Sequence, residues 1–81
     1  MLYFFNVAGA VYDPDQEGVE LASMAEARAL AARHAGELIR DRPDLAWVGE
    51  ELRVEVTDKN QMVLFTVIVV GIDSPAGKGR E

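Results

Sequence analysis

Glu51-Leu52-Arg53-Val54-Glu55-Val56-Thr57 runs through Asp58-Lys59-Asn60-Gln61 into Met62-Val63-Leu64-Phe65-Thr66-Val67-Ile68-Val69-Val70. In the first segment Leu52, Val54 and Val56 alternate strictly with Arg53, Glu55 and Thr57. Period two with one apolar and one polar set is the pattern of an antiparallel strand buried on one face. The four polar residues between the segments read as a turn. The second segment is apolar everywhere except Thr66, so both of its faces need cover. Together they predict a hairpin, and a hairpin with one oily face needs a second layer to bury it.

The chain just upstream supplies that layer. Ser23 and Glu26 form a capping box, in which each side chain satisfies a backbone donor at a helix start. The following segment is rich in alanine and leucine, both strong helix formers. At 100° per residue Met24, Ala27, Ala31, His34, Ala35 and Leu38 share one face, flanked by Leu30, while Glu26, Arg33, Glu37 and Arg40 lie opposite. Pro43 disfavours helical geometry at Arg42, which sets the end of the helix, and Arg40 and Arg42 suit its negative pole. Asp44 to Gly49 reads as a loop carrying the sole tryptophan, Trp47.

Further out, Tyr3-Phe4-Phe5-Asn6-Val7 is aromatic and β-branched and ends at Ala8-Gly9-Ala10, so it reads as a strand. Val11-Tyr12 is expected to pair back on it, and Val19-Glu20-Leu21 to add a short extended piece. The order is β(β)αββ: an α+β fold, a small antiparallel sheet with one helix packed on one face. Residues 1–72 form a single domain and 73–81, with Ser74-Pro75-Ala76-Gly77-Lys78-Gly79-Arg80, a flexible C-terminal tail.

A domain of 81 residues, 49% hydrophobic and 27% charged, is globular but has a thin core. Without cysteine it has neither disulfides nor thiolate chemistry, which leaves oligomerisation as the natural extra source of stability. The net charge of −6 and the scattered Arg28, Arg33, Arg40, Arg42 and Arg53 argue against nucleic-acid binding. The longest apolar run, about nine residues, is far short of the ~20 that cross a bilayer. The N-terminus lacks the pattern of a signal peptide, so the expected location is cytoplasmic, with no membrane contact.

Asp13-Pro14-Asp15-Gln16-Glu17-Gly18 is the one stretch that resembles a site. Asp13, Asp15 and Glu17 fill the first, third and fifth positions of a calcium loop and Gly18 the sixth, but Met24 stands where the bidentate carboxylate belongs. An acidic turn, with Pro14 fixing φ and Gly18 supplying a positive one, is the favoured reading. His34, Glu37 and Asp41 share a helix, yet one imidazole with no second nitrogen or sulfur ligand reads as a boundary histidine. Ser23 and His34 are eleven residues apart on that helix, roughly 16 Å, too far to form a nucleophile–base pair. The reading is therefore non-enzymatic, with no cofactor. Tyr3, Phe4 and Phe5 read as core aromatics, and Trp47 as an interface anchor.

Tyr-Phe-Phe-Asn-Val at 3–7, Asp-Gln-Glu-Gly-Val-Glu-Leu at 15–21, Met-Ala-Glu-Ala-Arg-Ala-Leu-Ala at 24–31, and Trp47-Val48-Gly49 ahead of Val-Glu-Val-Thr-Asp-Lys-Asn-Gln-Met-Val-Leu at 54–64 resemble a family of short alphaproteobacterial proteins known only as a domain of unknown function. The likeness spans Leu2 to about Val67. It implies a bacterial origin and the fold above, and brings no catalytic residue; Gln61 stands where that family often has glycine. A second likeness, to antitoxin domains of the HicB type, rests on the aromatic first strand, the acidic turn and Glu26-Ala27 with Ala31; the glycine–cysteine segment before the helix and a DNA-binding element are missing. The leading expectation is a homodimeric protein-interaction module whose interface includes Trp47, Met62, Leu64, Ile68 and Val70. The alternatives are an antitoxin-like acidic partner of a basic toxin, and a cation-binding regulatory domain at Asp13, Asp15 and Glu17.

Overall fold

The computed structural model describes residues 1–79, in one α+β layer pair. Strand β1 (Leu2–Gly9), the two-residue strand β2 (Val19–Glu20), helix α1 (Met24–Asp41), a 3-10 turn at Pro43–Ala46, strand β3 (Leu52–Thr57) and strand β4 (Val63–Val69) follow in that order. The strands form one antiparallel sheet ordered β2-β1-β3-β4, with β1 paired to β3 from Phe4↔Thr57 to Gly9↔Leu52. The expected order of elements is met. One pairing is not: Val11 and Tyr12 do not ladder onto β1. The chain swings wide, leaves Tyr12 80% exposed, and closes on β1 one residue later, where Val7 and Asp13 exchange bonds of 2.9 and 2.8 Å. Its outward excursion starts at Gly9, whose positive φ turns the strand out of the sheet.

Periodicity decides what is buried. Tyr3, Phe5 and Val7 of β1 meet Leu52, Val54 and Val56 of β3 on one face, all buried, and α1 lies across them. Ala27, Ala31 and Ala35, at 0, 0 and 2% exposure, form the contact stripe, so the helix approaches the sheet as closely as a methyl group allows. The Ser23 hydroxyl accepts from the Glu26 amide at 3.1 Å and the helix ends at Asp41, both as the capping box and Pro43 predict. Asp44 to Gly49 is more than a loop. Its first half is the 3-10 turn, which buries Leu45 against Val7 and Leu52 and closes the far end of the core.

The β3–β4 connection is built around Asp58. Its Oδ1 accepts from Asn60 at 2.8 Å and Met62 at 3.0 Å, and its carbonyl from Gln61 at 3.0 Å. Gln61 sits at φ 66°, the left-handed region where glycine is at ease. Gln61→Gly relieves about 1–2 kcal/mol of strain and loses part of it to the freer unfolded chain. We expect a net gain of about 0.5–1 kcal/mol, read as a Tm several degrees higher in calorimetry. An unchanged or lower Tm would show the left-handed turn to be unstrained. Residues 73–79 are exposed and held by local bonds from Gly77 and Lys78 to the Ser74 carbonyl; Arg80 and Glu81 lie outside the described residues.

Candidate functional site

The acidic turn is organised around one carboxylate. Asp15 Oδ2 accepts from the Phe5 amide at 3.1 Å, and Oδ1 from Glu17 and Gly18 at 3.0 and 3.1 Å. The Asp15 amide in turn donates to Asn6 Oδ1 at 2.9 Å, while Asn6 Nδ2 reaches the Glu55 carbonyl and the Thr57 hydroxyl, each at 3.3 Å. The outer edge of β1 is thereby closed in three ways along its length: β2 at Leu2–Tyr3, the Asp15 carboxylate at Phe5, the Asp13 backbone at Val7. Burial is the strongest single influence on Asp15 and pushes its pKa up. The amides of Gly18, Phe5 and Glu17, with the attraction of His34, outweigh it and hold the carboxyl below its ordinary value.

Asp13 and Glu17 are exposed, and no group of three His, Cys, Asp or Glu side chains gathers to hold a metal among the described residues. Half-buried His34 faces this turn across a groove of about 500 Å³, lined by the apolar Phe5, Val19 and Leu30 and the acidic Asp13, Asp15, Glu17 and Glu37. Periodicity put His34 on the sheet-facing side of the helix. It sits at the margin of that side, beside the acidic turn. Asp41 takes no part in this groove.

The face of the sheet away from α1 carries Phe4, Asn6 and Ala8 on β1, Arg53, Glu55 and Thr57 on β3, and Thr66 and Ile68 on β4. Arg53 bridges Glu55 at 3.0 Å and Glu51 at 3.3 Å. The bond to Glu55 first, against some desolvation, raises the pKa of its guanidinium further above an already high value. A shallow groove of about 540 Å³ runs between the acidic turn and the β3–β4 turn, over Phe4, Ala8, Tyr12 and Val63. Of its polar lining, Asn6, Glu55 and Thr57 are engaged with other residues of the chain.

Along β4 and its flanks several apolar side chains are exposed. Met62, Val63, Ile68 and Val70 are 64, 53, 56 and 47% exposed, Trp47 61% and Ile72 80%. Leu64 differs from the others expected at an interface: it is half-buried and packs against the core beside Phe65. The Trp47 ring lies over the backbone of Gly71, where a Cβ would come within 2.6 Å of its ring carbons, and Gly71 donates to the Ala46 carbonyl at 2.6 Å. That packing ties the loop to the end of β4 and leaves the outer ring face open. Spacing alone does not reveal the contact.

A family model described as a domain of unknown function (DUF6894) matches residues 2–70, which takes in every strand and the helix. No curated protein and no solved structure matches the chain.

Proposed function

We propose that this chain, which belongs to the DUF6894 family, is a non-enzymatic protein-interaction module that homodimerises through its sheet. The observation that carries the reading is the apolar surface of β4 and its flanks. One helix covers one face of the sheet, while Val63 and Ile68 on the strand that ends it, with Met62 and Val70 just beyond its two ends, remain exposed. Exposed apolar surface of this extent on a small domain points to an interaction site. A small domain without disulfides also gains stability when such a patch is buried. Several polar groups elsewhere are occupied with structure: Ser23 caps the helix, Asp15 closes β1, and Arg53, Glu51 and Glu55 satisfy one another.

Light scattering across a micromolar concentration series tests the reading, with a dimer expected. Ile68→Asp places a carboxylate in the patch at a position already 56% exposed, so the monomer keeps its fold. In the dimer the unpaired charge is expected to raise the dissociation constant about a hundredfold or more. A wild-type chain that stays monomeric throughout the series overturns the proposal.

A further inference from the structure

The hydrogen-bond parity of the sheet says what fits against β4. Val7 bonds outward to Asp13 and Phe5 outward to Asp15, so the odd residues of β1 point away from β3. The even ones, Phe4, Asn6 and Ala8, therefore bond to Thr57, Glu55 and Arg53. It follows that Val54 and Leu52 point the other way, to Val67 and Val69, and that the N–H and C=O groups of Thr66 and Ile68 project from the free edge of β4. Nothing among the described residues pairs with that edge, which ends the sheet. The opposite edge, by contrast, is closed by β2 and by the acidic turn.

Resting on the self-association reading, we infer that β4 pairs with β4 of a second copy in antiparallel register about Thr66, giving one continuous eight-stranded sheet. Two observations select this occupant. The free edge offers backbone donors and acceptors in strand spacing, so its complement is another strand. Met62 to Ile72 contains no charged residue in a chain that is 27% charged with net charge −6, so two copies meet here without opposing like charges. In this register Thr66 faces the partner's Thr66, Phe65 lies beside the partner's Val67, and both helices cover the same side of the sheet. An isologous contact of this kind closes at two copies and leaves no β4 edge open.

The chain has no cysteine, so Thr66→Cys places a single thiol on the two-fold axis. The Cα separation of a hydrogen-bonded antiparallel pair, about 5.5 Å, lies within the range a disulfide spans. Mild oxidation at micromolar concentration is expected to link most of the protein as a covalent dimer, whereas Gln16→Cys, on the turn beyond the opposite edge, stays unlinked. Thr66→Pro removes the outward N–H and spares the ladder to β3, a place where an edge strand accepts proline. It is expected to raise the dissociation constant about tenfold or more while circular dichroism stays that of a folded chain. A wild-type dimer in which Thr66→Cys does not cross-link overturns edge pairing and leaves association through the open sheet face. A monomeric wild type overturns both readings.

Discussion

Asp15→Ala is expected to lower the unfolding free energy by about 2–4 kcal/mol, a large share of what a domain this small commands. The argument is an accounting of donors. The amides of Phe5, Glu17 and Gly18 have the Asp15 carboxylate as their acceptor, and charge-assisted bonds are the stronger kind. With alanine, Glu17 and Gly18 turn to water, at modest cost. Phe5 cannot do so as easily: its side chain is buried and its amide lies under the turn. Losing the anchor also frees the Asp15 amide from Asn6 and with it the link through to Glu55 and Thr57. Urea denaturation checks the magnitude, and a loss below about 0.5 kcal/mol would mean that the turn is held by its backbone alone.

The same carboxylate gives the acid limb its shape. Its folded pKa lies below the ordinary 3.8, so the native state binds the proton less readily than the unfolded chain. Its contribution is therefore fully present above that ordinary value and fades as pH falls through the lower folded one. Asp15→Ala removes that component, and its stability is expected to fall less steeply than the wild type's below about pH 4. By spacing Asp15 fits the third position of a calcium loop, whereas the structure makes it a lid on the sheet edge. The alternation of carboxylates in Asp-Pro-Asp-Gln-Glu-Gly serves one bond network through Asp15, with Asp13 taking part through its backbone.

What the sequence makes legible is whatever repeats within a few residues. Leu52, Val54 and Val56 declare their common face, the Ser23–Glu26 box the helix start, and Pro43 its end, because each is a local steric or hydrogen-bonding preference. The outer contacts of β1 are not local. Phe5 meets a side chain ten residues on, and Val7 chooses Asp13 over the more strand-like Val11 and Tyr12 because the chain leaving Gly9 needs room to turn. Leu45 shows the same limit. Flanked by Asp44 and Ala46, it has no apolar periodicity around it, yet it closes the core against Val7 and Leu52. The apolar surface of β4 was legible as two-sided from composition alone. The exposure of Trp47 was foreseeable from its loop, but its packing over Gly71 depends on the sheet bringing together residues that are far apart in sequence.

Gly9→Ala is expected to cost about 2–4 kcal/mol, from two sources that act at one atom. At φ 82° a Cβ is strained wherever it points, by about 1–2 kcal/mol. Here it would also point into the backbone carbonyl of Glu51, well inside van der Waals contact. A flexible side chain would swing aside, whereas a carbonyl at the start of β3 cannot. That oxygen already accepts from the Ala10 amide at 3.1 Å, and the next residue, Leu52, pairs with Gly9 and is wholly buried. Relieving the clash means pulling β1 and β3 apart where Val7, Leu45 and Leu52 pack. The stiffer unfolded chain returns less than about 1 kcal/mol, too little to reverse the sign. The turn that Gly9 launches is the one that returns Asp13 to Val7 and Asp15 to Phe5, so the two substitutions act on one structure and their costs should not add. Gly9→Ala combined with Asp15→Ala is expected to lose at least 0.5 kcal/mol less than the sum of the single losses in urea denaturation. Full additivity would show the end of β1 and the acidic turn to be independent.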